Sequence, residues 1–288
     1  MFESLEQIKK RAMDSHSSFF DVIINDDLKE RLVSYEESFE NMRKMYAQMI
    51  HSDNIYNKNL KSSSGCVGGD GGRLTEYFNT EDTLSGKYIG SIMERAVKMG
   101  ESNACMKRIV AAPTAGSCGV IPAVLISTQE RYHLKEEKMI EALYVAAGIG
   151  QVIAHRASIS GAQGGCQAEI GSASSMAAGA LVYLRGGDAE AIVHASAMAL
   201  KSLLGLVCDP VAGLVEVPCV KRNVIGAVNA VTSADMSLAG LRSFIPPDEV
   251  IDAMREIGDM LPTSLKETSE AGLAKTPTAC SLCQKHFS

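Results

Sequence analysis

Residues 174–205 read SSMAAGALVYLRGGDAEAIVHASAMALKSLLG. On each side of Gly186-Gly187-Asp188 the small and apolar residues run too long for a strand, and they predict two helices, 174–185 and 189–205. The glycines can end the first helix, and Asp188 can cap the second through its carboxylate. Working outward, Glu136 to about His155 is a strongly apolar segment with Met139, Ile140, Leu143, Ala146 and Ala147 on one side. Ser117–Tyr132, rich in Val, Ile and Leu, and residues 81–99 predict two more helices. Residues 28–58 predict a long polar helix or a helix pair, with Leu32, Tyr35, Phe39, Met42, Met45 and Met49 at spacings of three or four. Leu5, Ile8 and Met13 fit one face of a first helix. Pro247-Asp248-Glu249 opens a short one carrying Val250, Ile251, Met254 and Ile257.

Strand alternation is almost absent, so the expected fold class is all-α. It is a single multi-helix domain over 1–288, with N-terminal helices in 1–60 and an irregular tail over 275–288. No internal repeat or low-complexity linker divides the chain. Apolar residues make up 46% of it, enough for a substantial core, and 25 glycines with many Ala and Ser suit closely packed helices. The net charge of −6 and the lack of any basic run argue against a nucleic-acid binder. MFESLEQIKKRAMDSH carries acids and lacks an apolar signal core, and no window reaches about eighteen uninterrupted apolar residues. The expectation is a cytoplasmic protein with no membrane partner. In a reducing compartment its eight cysteines are buried thiols or metal and catalytic groups, not a disulfide framework.

Four interruptions stand between the predicted helices: KSSSGCVGGDGGRL (61–74), AAPTAGSCG (111–119), SGAQGGCQAEIGSASS (160–175) and CDPVAGLVEVPC (208–219). Each loop glycine raises the entropy lost on ordering, so four such loops exceed what folding alone asks for. Glycines let backbone N–H groups converge on an anion or pass close to a bulky cofactor; the plain alternative is tight helix turns. Cys166, Cys208 and Cys219 lie in these loops, and spacing alone leaves open a three-cysteine site or three small buried apolar residues. The CSLC of Cys280 and Cys283 has no second C-x-x-C to complete a zinc site.

AAPTAGSCGVIPAVL, ISGAQGGCQAEIGSASSMAAGAL and CDPVAGLVEVPCVKRN closely resemble the α chain of iron–sulfur-dependent L-serine dehydratases, and KSSSGCVGGDGG resembles that family's glycine-rich substrate-side loop. The resemblance runs from about residue 60 to the tail. It implies a [4Fe–4S] cluster held by Cys166, Cys208 and Cys219, leaving one iron open to the substrate L-serine. It also implies a separate serine dehydratase β chain as partner. In some relatives a cysteine near the C-terminus reaches the open iron, a role that would fall to Cys280 or Cys283; a flexible tail with two exposed thiols is the alternative.

Losing a Cα proton and a β-hydroxide from serine needs a Lewis acid on the hydroxyl and a positioned base. Candidate donors to the substrate carboxylate are the hydroxyls of Ser62 and Ser64, the N–H groups of Gly68 and Gly69, and the nest of Thr114, Gly116 and Ser117. Asp70 is a candidate for the ammonium or for orienting its loop, with a turn-forming role as the alternative. His155, at the end of an apolar helix, is the candidate base in this chain, against a supporting role or a base on the β chain. His194 reads as structural, Glu169 as a possible anchor of the cysteine loop, and Lys61 and Arg222 as added positive charge or solvated surface. Three rivals stand: a lyase removing sulfide from L-cysteine on the same fold, a pyridoxal-phosphate lyase with GGDGG as phosphate cradle, and a non-enzymatic interaction subunit. The second needs a Schiff-base lysine in a recognisable setting, and none is evident.

Overall fold

The computed structural model describes residues 2–80 and 82–287. Among these it contains thirteen α-helices. The first three are α1 (Leu5–Asp14), α2 (Phe19–Arg31) and α3 (Tyr35–Asn54). The first glycine-rich loop leads to α4 (Asp70–Phe78) and α5 (Gly86–Ala104), then α6 (Val120–Tyr132) and α7 (Glu136–Arg156). A single turn, α8 (Gly161–Gly164), and a π-helical turn (Gln167–Gly171) run into α9 (Ser172–Leu184) and α10 (Ala189–Lys201). The chain ends with α11 (Cys219–Leu238), α12 (Pro247–Met260) and α13 (Pro277–Phe287). Among the described residues there is no strand, only a lone parallel bridge between Cys208 and Lys266. The expected all-α class is the one observed.

Helix α9 is the centre. Every residue from Ser172 to Leu184 is buried, because α6, α7, α10 and α11 all pack on it. Its composition explains how one helix takes four neighbours. Alanine, serine and glycine keep its radius small, so the partners' backbones come close. A Cβ at Gly179 would sit 2.3 Å from Ile149 Cδ1 and 2.8 Å from Ser196 Oγ. Two of its three buried serine hydroxyls are paired, Ser174 donating to the Gly226 carbonyl at 2.8 Å and Ser175 to the Ser196 carbonyl at 3.0 Å, while that of Ser172 has no partner among the described residues. Asp188 caps α10 as its sequence position predicts, accepting from the Ala191 N–H at 2.7 Å.

The N-terminal helices differ from expectation in detail. Leu32 does not lie on a continuous helix face: it ends α2 in the left-handed conformation (φ 55°) with its side chain exposed. Residues 28–58 are thus the end of one helix and the whole of another, and Ser34 caps the second. In α1 the buried face is Leu5, Ile8 and Ala12, with Met13 turned to solvent. Asp248 of α12 accepts from the Leu5 and Glu6 N–H groups at 2.8 and 3.1 Å, so a carboxylate distant in sequence fills the positive end of α1. The tail expected to be irregular is helical from Pro277, which occupies the first helical position, where its missing N–H costs nothing. The Thr276 hydroxyl accepts from the Ala279 N–H and caps that turn.

A side chain at position 179 has no room to grow. Gly179→Leu should lower stability by about 1–3 kcal/mol, the range for overpacked cores, read as a fall in the urea midpoint at unchanged slope.

Candidate active site

The thiols predicted to act together come from three separate pieces of backbone. Cys166 precedes the π-helical turn, Cys208 lies in the bridge to Lys266, and Cys219 is the first residue of α11. All three are buried and free. The turn that follows Cys166 is held from outside its own segment. The Gln167 N–H donates to the Leu206 carbonyl at 2.9 Å, the Gln167 side chain donates to the Met254 carbonyl at 3.0 Å, and it accepts from the Gly205 N–H at 2.8 Å. Cys208 is fixed by a pair of backbone bonds, its N–H to the Leu265 carbonyl and its carbonyl from the Glu267 N–H.

Burial pushes the Cys166 thiol up to about 11 and the Cys219 thiol to about 12, and it raises the Cys208 thiol as well. The fields of the thiols act on one another. Cys166 and Cys219 both contribute to the rise at Cys208, and Cys166 contributes to that at Cys219. The opposing charge is Arg222. Its guanidinium donates to the Val207 carbonyl and Asp209 at 2.8 and 2.9 Å, and its positive field acts on Cys166. Arg222 is therefore part of the site, not solvated surface. Asn223, one residue on, is buried and ties loops together: it accepts from the Gly119 N–H and donates to the carbonyls of Gly116 and Cys219, each within 2.9 Å.

Glu169 occupies the space between the PTAGS loop and the cysteines. Its Oε1 accepts from the Thr114 hydroxyl at 2.7 Å. A Cβ at Gly116 would lie 2.9 Å from that oxygen; one at Gly161 would lie 2.9 Å from Glu169 Oε2 and 3.0 Å from Cys208 Sγ. Two loop glycines thus make room for one carboxyl beside one thiol, which is the close-approach use of glycine rather than the turn use. Burial raises the Glu169 carboxyl, partly offset by the Thr114 bond. Ser117 is fully buried and turned back on its own loop, accepting from the Thr114 N–H at 3.3 Å.

The GGDGG loop is organised differently from the sequence expectation. The N-terminus of α4 already holds an anion, the buried Glu101 carboxylate. It accepts from the Asp70 and Gly71 N–H groups at 2.8 and 3.1 Å and from the Tyr56 hydroxyl. A phosphate cradle at this helix start is therefore filled from within. Gly68 (φ 129°) and Gly69 (φ 86°) serve the turn itself, since a Cβ at Gly68 would lie 2.2 Å from the Leu60 carbonyl oxygen. Lys61 spans that turn, its ammonium on the Gly68 carbonyl. Ser62 and Ser64 are buried and both donate to Glu216 Oε2. Asp70 is bridged to Arg73 at 2.9 Å and Lys221 at 3.4 Å.

His155 is exposed near the end of α7. His194 is held between Glu190 at 2.8 Å and the Ser243 N–H at 3.1 Å, a structural placement. Cys280 and Cys283 lie on α13, the first exposed and the second half-buried. Glu101 and Glu216 went unread in the sequence. Glu101 had a signal: a carboxylate one turn after Val97 on the apolar face of α5. Glu216 had none beyond its place between two cysteines.

A sequence model described as serine dehydratase alpha chain matches residues 4–274. The chain is 45% identical over 287 residues to a probable L-serine dehydratase alpha chain of Bacillus subtilis (strain 168), covering 100% of this chain and 96% of the relative. It is 54% identical over 195 residues to a probable L-serine dehydratase alpha chain of Latilactobacillus sakei, covering 68% and 93%. To an L-serine dehydratase alpha chain of Peptoniphilus asaccharolyticus it is 41% identical over 263 residues, covering 90% and 89%.

Two stability outcomes follow. Asn223→Ala leaves the Gly119 N–H and two carbonyls without their partner and should lower stability by about 2–3 kcal/mol in urea unfolding. Glu169 has a folded-state value above its ordinary one, so its contribution is fully present below the ordinary carboxylate range and is lost as pH rises through the raised value. The stability of Glu169→Gln should therefore gain on that of the unsubstituted protein as pH rises through that window. Denaturant midpoints measured at several pH values check it; parallel curves would refute it.

Proposed function

This chain belongs to the serine dehydratase alpha-chain family, and on that premise we propose that it is the catalytic α subunit of an iron–sulfur L-serine dehydratase. The enzyme is a lyase, and the reaction converts L-serine to pyruvate and ammonia in company with a β chain. The observation that carries the reading is the set of three free, buried thiols brought from separate segments, with the Arg222 guanidinium bonded to Val207 and Asp209 on either side of Cys208. No helix among the described residues is long and apolar enough to cross a membrane.

The donor set fits the group in its chemistry: Cys166, Cys208 and Cys219 are free, buried thiols, the ligand type that an iron–sulfur cluster takes. Free buried thiols with raised values are neutral ligands in waiting, and loading would release their protons. When bound through Cys166, Cys208 and Cys219, a [4Fe–4S] cluster supplies an iron without a protein thiolate, a Lewis acid for the serine hydroxyl.

The chain's own groups do the rest of the work. Arg222 offsets the negative charge collected at Cys166 and Asp209. In the loop just ahead of α6 the Thr114 hydroxyl is held by Glu169 and Ser117 by Thr114, so the donor this loop offers the substrate carboxylate is the Gly116 N–H. Ser62, Ser64, Gly68 and Gly69 form the opposing loop, with Asp70 at its end. We assign the Cα proton to Glu169 ahead of His155. Glu169 lies beside Cys208 and is oriented by Thr114, and its raised value brings a carboxyl closer to the working range of a general base. His155 faces solvent.

Anaerobic co-purification with the β chain, followed by iron and sulfide analysis and a serine-to-pyruvate assay, tests the reading. About four irons per α chain are expected, with activity lost in air. Replacement of Cys166, Cys208 or Cys219 by Ser should remove iron and activity together. A metal-free, air-stable, active enzyme would overturn the proposal. Glu169→Gln should keep its iron and lose about a hundredfold or more in kcat; an unchanged kcat would return the proton to His155 or the β chain.

A further inference from the structure

We propose that Glu216 is a positioning residue, the clasp that holds the loop 62–69 against the segment joining Cys208 to Cys219. Its side chain is only 5% exposed, and one of its oxygens accepts from two hydroxyls, Ser62 at 2.7 Å and Ser64 closer still. Those hydroxyls in turn accept from the loop's own backbone. Ser62 Oγ takes the Val67 N–H at 3.2 Å, and Ser64 Oγ takes the Cys66 N–H at 3.1 Å. The fold of the loop and its attachment therefore share one acceptor. The other side of the contact is equally tied to the site. The Glu216 carbonyl accepts from the Val220 N–H at 3.0 Å in the first turn of α11, which begins at Cys219.

A buried carboxylate is a costly choice for a mere spacer, because its charge must be matched by donors when water is excluded. Charge-assisted bonds are shorter and about twice as strong as neutral ones, so a carboxylate holds two serines where an amide would hold them weakly. The contact joins the two halves of the proposed active site, the serine and glycine loop on one side and the cysteine loop on the other. Loosening it moves the loop without removing a cysteine. The contact itself is independent of the function; its effect on substrate rests on the serine dehydratase reading.

Cys66 provides the readout. It is exposed, and its N–H is bonded to Ser64, so its reaction with a thiol reagent follows the loop. The test uses the anaerobically prepared α–β complex, labelled with N-ethylmaleimide and followed at the Cys66 peptide by mass spectrometry, beside L-serine kinetics and iron analysis. Glu216→Gln keeps the side chain's shape, and the Ser62→Ala, Ser64→Ala double variant removes the same bonds from the other side. Both should label Cys66 several-fold faster and raise KM for L-serine about tenfold, as loss of a hydrogen bond to a charged group implies. Iron content should stay at the unsubstituted level, with a smaller change in kcat. An unchanged labelling rate in both variants overturns the proposal, as does faster labelling with an unchanged KM. So does iron lost in proportion to activity, which would make Glu216 a support for the cluster loop only. An unsubstituted complex without iron would strike the iron–sulfur reading alone, and the labelling rates would still decide the contact.

Discussion

Helix α9 has no side facing water, and both the fold and the site depend on that. Four helices can reach it because eight of its thirteen residues are Ser, Ala or Gly, all of them in the stretch from Ser172 to Ala180. The same helix continues N-terminally into the π-helical turn that bears Glu169 and begins after Cys166. A π-turn widens the helix by one residue per bond and re-aims the side chains at its mouth, and such turns recur at functional sites. Here the re-aimed segment is anchored to a helix buried along its whole length. The position of Glu169 is thereby inherited from the core rather than from a loop.

Around that fixed point the site is assembled by carboxylates and amides that take no part in the overall packing. Asn223 ties the PTAGS loop to the start of α11, Glu216 ties the serine loop to the cysteine loop, and Glu101 closes the start of α4. Each is buried with its partners satisfied, which is the condition under which a polar group holds a loop instead of loosening the core. Loops of this glycine content would otherwise sample many conformations. Their order comes from specific bonds donated or accepted by neighbours far away in sequence.

That division explains what the sequence revealed. The helices around 136–205 were legible because burial on all sides leaves an unmistakable run of small and apolar residues. The start of α10 was legible because capping is local chemistry, written in Asp188. The break at Leu32 was not, since a leucine in the left-handed conformation at a helix end has no sequence signal of its own. The helical tail was missed because its signal is a single Thr-Pro pair. In the site, the three cysteines and the glycine loops stood out by composition and by likeness to family motifs. What the folded chain adds is the space those glycines provide: Gly68 and Gly69 meet the needs of their own turn, and Gly116 and Gly161 make room for Glu169. Glu216 and Glu101 went unread because a buried carboxylate is recognised by what it touches, and the partners are 30 to 154 residues away in the chain.

The occupied start of α4 bears on selectivity. A glycine-rich turn ahead of a helix is an open invitation to phosphate, and a cell is full of phosphorylated metabolites. In this chain the seat is already taken by Glu101, covalently present at every moment and needing no diffusion to find its place. A competing phosphate would have to evict a tethered carboxylate from two N–H groups and a tyrosine hydroxyl, and leave it buried without partners. The positive end of α4 is thus spent on the chain's own carboxylate, which ties the glycine-rich turn to α5 instead of leaving it for a diffusible anion.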